Sequence, residues 1–346
     1  ICIREDGLRK IFQDAVEFQI LKRLDDNTFM WAHDKLQHVA YSMIPKSYVQ
    51  ETHKVLGMIL WEMHNANPEN EWMLYMAADQ LNHVTDVSDD GLREDIARLS
   101  FEAGQLSISK SAFFPALDML RFAAKHLGNM ENSWETTYEL SLEVYSTLAQ
   151  LSIRFLTYEE GLDAATRVDE HAKLLEDKLR AQIVFIRHKV EGENRDYEGA
   201  VKSIQNMLLD YGVKIPTTII PGQQFLENRK LKARLGGGAQ TFLTIRKLDE
   251  QNVHDKRICN ILSLLAHLLE YSFYHKKLNS LNSYATLRIL NISLQEGASS
   301  DTALAIAHFS GLLGKNGHNE ESREWSDVAV KLVDSFPRTI GSRHSN

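Results

Sequence analysis

Disulfide bonding, membrane spanning and a general attraction for polyanions are what this sequence is least equipped to provide. Only Cys2 and Cys259 supply thiols in 346 residues, so no disulfide framework can form and a reducing, cytoplasmic setting is expected. No uninterrupted apolar run approaches the roughly 18 residues of a membrane span, and the opening residues lack a secretory pattern. Acidic residues outnumber basic ones by 47 to 39, for a formal net charge of -8. Neither nucleic acid nor an anionic membrane is therefore expected as a partner. Proline and glycine are sparse too, at 6 and 18 residues, which leaves long stretches free to be helical.

What is present is a 43% hydrophobic content, enough for a sizeable core, arranged mostly at helical spacing. The periodicity predicts helices near 46–64, 71–84, 91–107, 110–126, 133–155, 158–172, 174–191, 195–211, 256–275, 279–296, 300–315 and 319–335. They fall into pairs. Tyr158-Glu159-Glu160-Gly161-Leu162 is echoed by Tyr197-Glu198-Gly199-Ala200-Val201, at an offset longer than the roughly 34 residues of a strict tetratricopeptide repeat. Small residues such as Ala103, Ala112, Ala116, Ala164, Ala165 and Ala200 allow close helix approach, and stacked pairs bury faces that no pair covers alone.

Before this array, Leu8, Ile11, Phe12, Ala15 and Val16 make a helical stripe, followed by Phe18-Gln19-Ile20-Leu21 and Phe29-Met30-Trp31 around the turn Asp25-Asp26-Asn27. Helix, strand and strand in this order form the second half of a winged helix. Arg4, Arg9, Lys10, Lys22 and Arg23 offer cations, but no dimer element or extended basic stripe accompanies them, so a spacer is favoured over a DNA reader. The expected fold is all-α: a tetratricopeptide-like helical-repeat array, an α-solenoid, preceded by a partial winged helix with two short strands. The divisions expected are 1–45 for the winged-helix part, 46–211 for the first array, 212–255 for an irregular insertion and 256–346 for a second repeat segment.

The stretch from Trp31 to Pro45 carries the strongest local signal. Asp34 is placed to cap a helix, with Gln37 completing a capping-box pattern, and Leu36, Val39, Ala40, Met43 and Ile44 then define one face expected to be buried. With His33, Tyr41, Pro45, His53, Gly57 and Leu60 added, the segment resembles F-A-H-D-R-x-Q-x-A-A-Y-S-L-I-P…H-x-x-x-G-x-x-L of large multidomain signal-transduction ATPases. Trp31, His38 and Val39 depart from that pattern without breaking its apolar spacing. Further landmarks are Gln80-Leu81-Asn82, Ala103-Gly104, Lys110, Ala112, Tyr138-Glu139-Leu140 and Gly212-Val213-Lys214-Ile215-Pro216, so the resemblance covers roughly residues 17 to 216.

The resemblance implies a regulatory segment lying between a nucleotide switch and a protein kinase, histidine kinase or cyclase output. Its implied partners are other domains of the same polypeptide and protein or peptide effectors. ATP and magnesium would belong to an upstream domain, with no cofactor in this segment. The chain reads as an internal piece, since Ile1 leads almost directly into helical sequence. A free-standing helical scaffold that binds partner proteins is the alternative, and a Walker A loop in the coding sequence upstream would discriminate the two.

No enzymatic site is legible in the chain. The nearest phosphate-loop match, Gly314-Lys315, has Asn316 in place of the magnesium-binding hydroxyl and Phe309 in place of the first glycine. His33, Asp34 and His38 lack a third metal ligand, while Glu62/His64 and Glu170/His171 do not fit H-E-x-x-H. Asp86, Asp89 and Asp90 lie out of register with a calcium loop, and Ser107, Ser109 and Ser111 lack a nucleophile elbow. Recurring aromatics, Trp61, Trp72, Trp134, Tyr145 and Trp325 among them, are expected to pack between helices. In 212–255, Pro216, Pro221 and Gly236-Gly237-Gly238 break the rhythm beside the densest basic run. Arg229, Lys230, Lys232 and Arg234 are expected on a solvated helix, where they form a candidate docking site for an acidic partner segment. This stretch is also expected to have few apolar contacts.

Overall fold

The computed structural model describes residues 5–25, 28–85, 87–191, 195–236, 238–249, 251–274 and 278–336. Cys2, Arg4, Asp26, Asn27, Asp86 and Gly237, named above, lie outside them. The chain forms an all-α helical array with one short hairpin, divided into two compact units, residues 1–99 and 100–346.

The first unit holds α1 (Glu5–Glu17), β1 (Leu21–Arg23), β2 (Phe29–Trp31), α2 (Asp34–Ser42), α3 (Lys46–Ala66), α4 (Glu71–Asn82) and the start of α5 (Asp90–Ser109). β1 and β2 pair antiparallel with Leu21 opposite Trp31 and Arg23 opposite Phe29. Phe12 of α1 stacks on Phe29 with ring centroids 4.8 Å apart, which seats the helix on the hairpin. The first strand begins at Leu21 rather than Phe18, because Gln19 takes a left-handed turn at φ 59.

Pairing persists past the strand: Ala32 N–H donates to Ile20 O at 3.0 Å, which leaves His33 extended, at φ -155 and ψ 141, at the junction with α2. The cap therefore falls one residue earlier than expected. His33, not Asp34, closes the helix, its Nδ1 accepting from Lys35 N–H at 3.1 Å, while Asp34 becomes the first helical residue. Asp34 still complements the helix N-terminus by charge alone.

α3 and α4 form a helical hairpin around Met73, Leu74, Ala77, Ala78 and Leu81, all buried. The two helices approach closely at Gly57, where a Cβ would sit 2.5 Å from Leu81 Cγ.

The second unit continues from the rest of α5 through α6 (Phe113–Gly128), α7 (Ser133–Thr136), α8 (Tyr138–Arg154), α9 (Tyr158–His171), α10 (Leu175–Glu191), α11 (Tyr197–Asp210), α12 (Pro221–Arg234), a 3-10 helix (Gly238–Leu243), α13 (Val253–Phe273), α14 (Asn279–Glu296), α15 (Ser300–Lys315) and α16 (Asn319–Asp334). Consecutive helices pack on each other, α8 on α9, α9 on α10, α10 on α11, and likewise α13 through α16. Alternate helices touch as well, α8 with α10 and α13 with α15, the neighbour pattern of a repeat array. Two departures from the expected helices have a local backbone cause. Ser111 at φ 60 delays α6 to Phe113, and Thr137 at φ -127 and ψ 44 splits the helix expected over 133–155.

The echoed segments do open α9 and α11, but their glycines do different work. Gly161 lets α9 approach α8, where a Cβ would lie 3.0 Å from Ile153 Cγ1 and 3.2 Å from Ala149 O; Gly199 instead leaves room for its helix cap, donating to Asp196 Oδ1 at 2.8 Å.

Residues 212–255 do not stand outside the fold. Ile215, Ile219, Leu231, Ala239 and Phe242 belong to one core that extends from Leu179 to Leu332, so the expectation of few apolar contacts there is corrected. The amphipathic spacing of α12 is short and interrupted by charge, which hid its buried Glu227 and Leu231. Arg246 O accepts from Ala298 N–H, and Ala298 O accepts from Leu248 N–H, both at 2.9 Å. That bridge runs past Gly297, whose φ of 133 and tight contact with Arg246 O leave no room for a side chain.

Candidate functional site: the joint of α2, α3 and α4

Several residues that carry the sequence resemblance meet within the first unit. Tyr41 from α2 and Gln80 from α4 approach His53 of α3 from opposite sides, with Tyr41 Oη 2.9 Å from His53 Nε2 and Gln80 Oε1 2.9 Å from His53 Nδ1. Gln80 Nε2 donates to Asp79 Oδ2 at 3.1 Å, which fixes the orientation of the amide. Gln80 Oε1 then accepts from His53 Nδ1–H, and the Tyr41 hydroxyl is bonded to His53 Nε2. His83, anchored by its Nδ1 to Asp79 O at 2.7 Å, stacks on His53 with ring centroids 4.9 Å apart.

Both polar atoms of the buried imidazole are thus satisfied, and three helices are tied to one ring. One turn further along α3, Gly57 admits Leu81 of α4, and Gln50 Oε1 accepts from Thr85 N–H at 2.7 Å. Pro45 precedes α3 with φ -56 and ψ 133, stopping α2 and turning the chain.

The other side of α2 is open. Asp34, Gln37, His38, Ala40 and Tyr41 of α2 line, with Trp31 and Ile44, an open concavity of about 660 Å³. No residue of α2 is buried. Leu36, Ala40 and Ile44 are half-buried, whereas Val39 and Met43 remain 54% and 77% exposed. The periodicity located an apolar face correctly, but burial of that face within the described residues does not follow. On α3, Val55, Leu56, Ile59 and Met63 continue an exposed apolar stripe.

The basic run of α12 separates into two roles. Lys230 pairs within α12 with the buried carboxylate of Glu227 at 2.7 Å, whereas Arg234 donates to Asn291 Oδ1 at 3.1 Å and so helps to hold α12 on α14. Arg229 and Lys232 are exposed. Asn291 Nδ2 donates to Glu227 Oε2 at 3.1 Å and to Glu227 O at 2.9 Å. A second polar joint centres on Asp177 of α10, which accepts from Tyr138 Oη at 2.6 Å and Lys256 Nζ at 2.7 Å and so connects α8, α10 and α13. Burial, followed by this bond to Asp177, pushes the Tyr138 hydroxyl up to about 12.

Glu227, Asn291 and Asp177 carried no sequence signal, since each reads as one more polar residue on an amphipathic helix. Among the described residues, no three His, Cys, Asp or Glu side chains are grouped as a metal site, and no helix is long and apolar enough to cross a membrane. Of the aromatics, Tyr145 and Trp325 are buried and Trp134 stacks between Tyr145 and His171, but Trp72 is exposed. No protein-family model matches the chain, and no curated protein or solved structure does.

Proposed function

We propose that this chain is a non-catalytic regulatory segment of a large intracellular signalling ATPase, and that it couples the binding of a protein or peptide effector to an attached kinase or cyclase output. The observation that supports this reading is the division of labour within the opening motif. Tyr41, His53 and Gly57 lock three helices together, while Asp34, Gln37, His38 and Ala40 present an open apolar-edged face beside exposed Val39 and Met43. A rigid joint under an uncovered face suits the transmission of a neighbouring domain's state to a helical array, provided an effector favours one arrangement. The occupant proposed for that face is the nucleotide-binding domain of the same polypeptide.

The first test is the coding sequence upstream of Ile1, which should contain a Walker A loop; its absence would favour the free-standing scaffold. In the longer protein, Val39→Asp with Met43→Asp should change the rate of ATP hydrolysis while the helical circular dichroism is retained. An unchanged rate would overturn the assignment of the face to the nucleotide domain.

A further inference from the structure

A groove of about 760 Å³ in the second unit is walled by three helices. Its α12 wall carries Phe225, Asn228 and Lys232, its α15 wall Phe309 and Leu313, and its α16 wall Glu321, Glu324 and Trp325. Leu287 of α14 and Gly238 of the 3-10 helix also line it. The deepest aromatic surface is firmly held: Trp325 is 6% exposed and packs on Phe309 with ring centroids 4.6 Å apart. At the lip the opposite holds, since Phe225 leaves 69% of its surface in water. A large exposed aromatic above an apolar floor is a common arrangement at protein-binding surfaces.

We propose that this groove seats an amphipathic α-helix from a partner protein, apolar along one face and bearing lysine or arginine on the flank that meets α16. The inference goes beyond the reading above and stands whether or not an ATPase is attached. Two features of the groove select the occupant. Its walls are helices whose backbone N–H and C=O groups are already bonded internally, so an extended peptide would find no strand edge to join, whereas a helix arrives with its own backbone satisfied. The two lips also differ in charge, with exposed Glu321 and Glu324 on α16 facing a single exposed Lys232 on α12. Carboxylates three residues apart on a helix share one face. That pair favours a basic flank against α16, and Lys232 favours an acidic residue on the other side.

The test uses the full chain and a fluorescein-labelled peptide of about four helical turns, with leucine at i, i+3, i+4 and i+7 and lysine along one flank. A twin carries glutamate in place of lysine, and a third peptide has the same composition in shuffled order. Fluorescence polarisation should show the lysine peptide binding in the micromolar range, with the other two at least about tenfold weaker. Phe225→Ser should weaken binding about tenfold, and Glu321→Lys with Glu324→Lys should reverse the preference between lysine and glutamate peptides. Ile59→Ser, on the exposed stripe of α3, should leave affinity unchanged. All these positions are exposed, so the variants should keep the parent circular dichroism spectrum. The proposal is overturned by absence of binding, by equal binding of the three peptides, by insensitivity to Phe225→Ser, or by loss of binding on Ile59→Ser. Uptake of a small apolar naphthalene sulfonate that Phe225→Ser abolishes, without peptide binding, would also overturn it.

Discussion

Gly57→Ala sets two opposing effects against each other. Alanine is favoured over glycine inside a helix by about 1 kcal/mol, so helix propensity alone predicts a more stable protein. At this position, however, an ideal Cβ would lie 2.5 Å from Leu81 Cγ, 2.8 Å from Leu81 Cδ2 and 3.3 Å from Ala77 O. Carbon atoms in contact prefer about 3.5–4.0 Å. Leu81 is fully buried and its Cγ is close to its own backbone, so it cannot swing clear. α3 and α4 must instead separate by about an ångström, which would also stretch the His53–Gln80 bond. Overpacking of this kind costs about 1–3 kcal/mol, and the shortfall places the cost near the top of that range.

The expected net effect of Gly57→Ala is thus destabilisation of the first unit by about 2 kcal/mol. Gly311 of α15 is the control, exposed and with no atom within 4 Å of its ideal Cβ. Gly311→Ala should stabilise the second unit by up to about 1 kcal/mol. Urea denaturation with hydrogen exchange read separately over α3–α4 and α15 measures both, since two units need not unfold together. In a Leu81→Ala background the cost of Gly57→Ala should largely disappear, which would expose the coupling. Stabilisation of α3–α4 by Gly57→Ala would refute the close-approach argument.

Tyr41→Phe removes the hydroxyl bonded to His53 Nε2 and should cost the first unit about 1 kcal/mol by urea denaturation. Asp177→Ala leaves Lys256 without its partner, but Lys256 can turn to water, so about 2 kcal/mol is expected in the same assay. Burial first, and then the Lys315 ammonium, hold the His308 imidazole below its ordinary value of 6.5. The unfolded chain therefore binds this proton more readily. Stability should fall as pH drops below 6.5, the slope ending once the folded value is passed, and His308→Gln should flatten thermal midpoints across that window. Calorimetric titration of this chain with Mg-ATP should show no stoichiometric binding, because the Gly314-Lys315 segment lacks the remaining phosphate-loop residues.

Helix periodicity alone determined most of this architecture. Apolar spacing placed α3 to α6, α9 to α11 and α13 to α16 within about three residues of their observed positions, because an amphipathic stripe is a local property of the chain. The motif residues Tyr41, His53 and Gly57 were legible as a set, but not the reason for it, since their meeting requires α2, α3 and α4 to fold over one another. Only tertiary structure decided that backbone pairing continues past β2 to Ala32 and so passes the cap from Asp34 to His33. It alone showed that Val39 and Met43 point outward and that Lys230 and Arg234 serve the interior. Periodicity reports that a face is apolar, whereas what covers that face depends on residues remote in sequence. The same holds for Asp177, Glu227 and the groove beside Phe225, whose partners lie several helices away and leave no local trace.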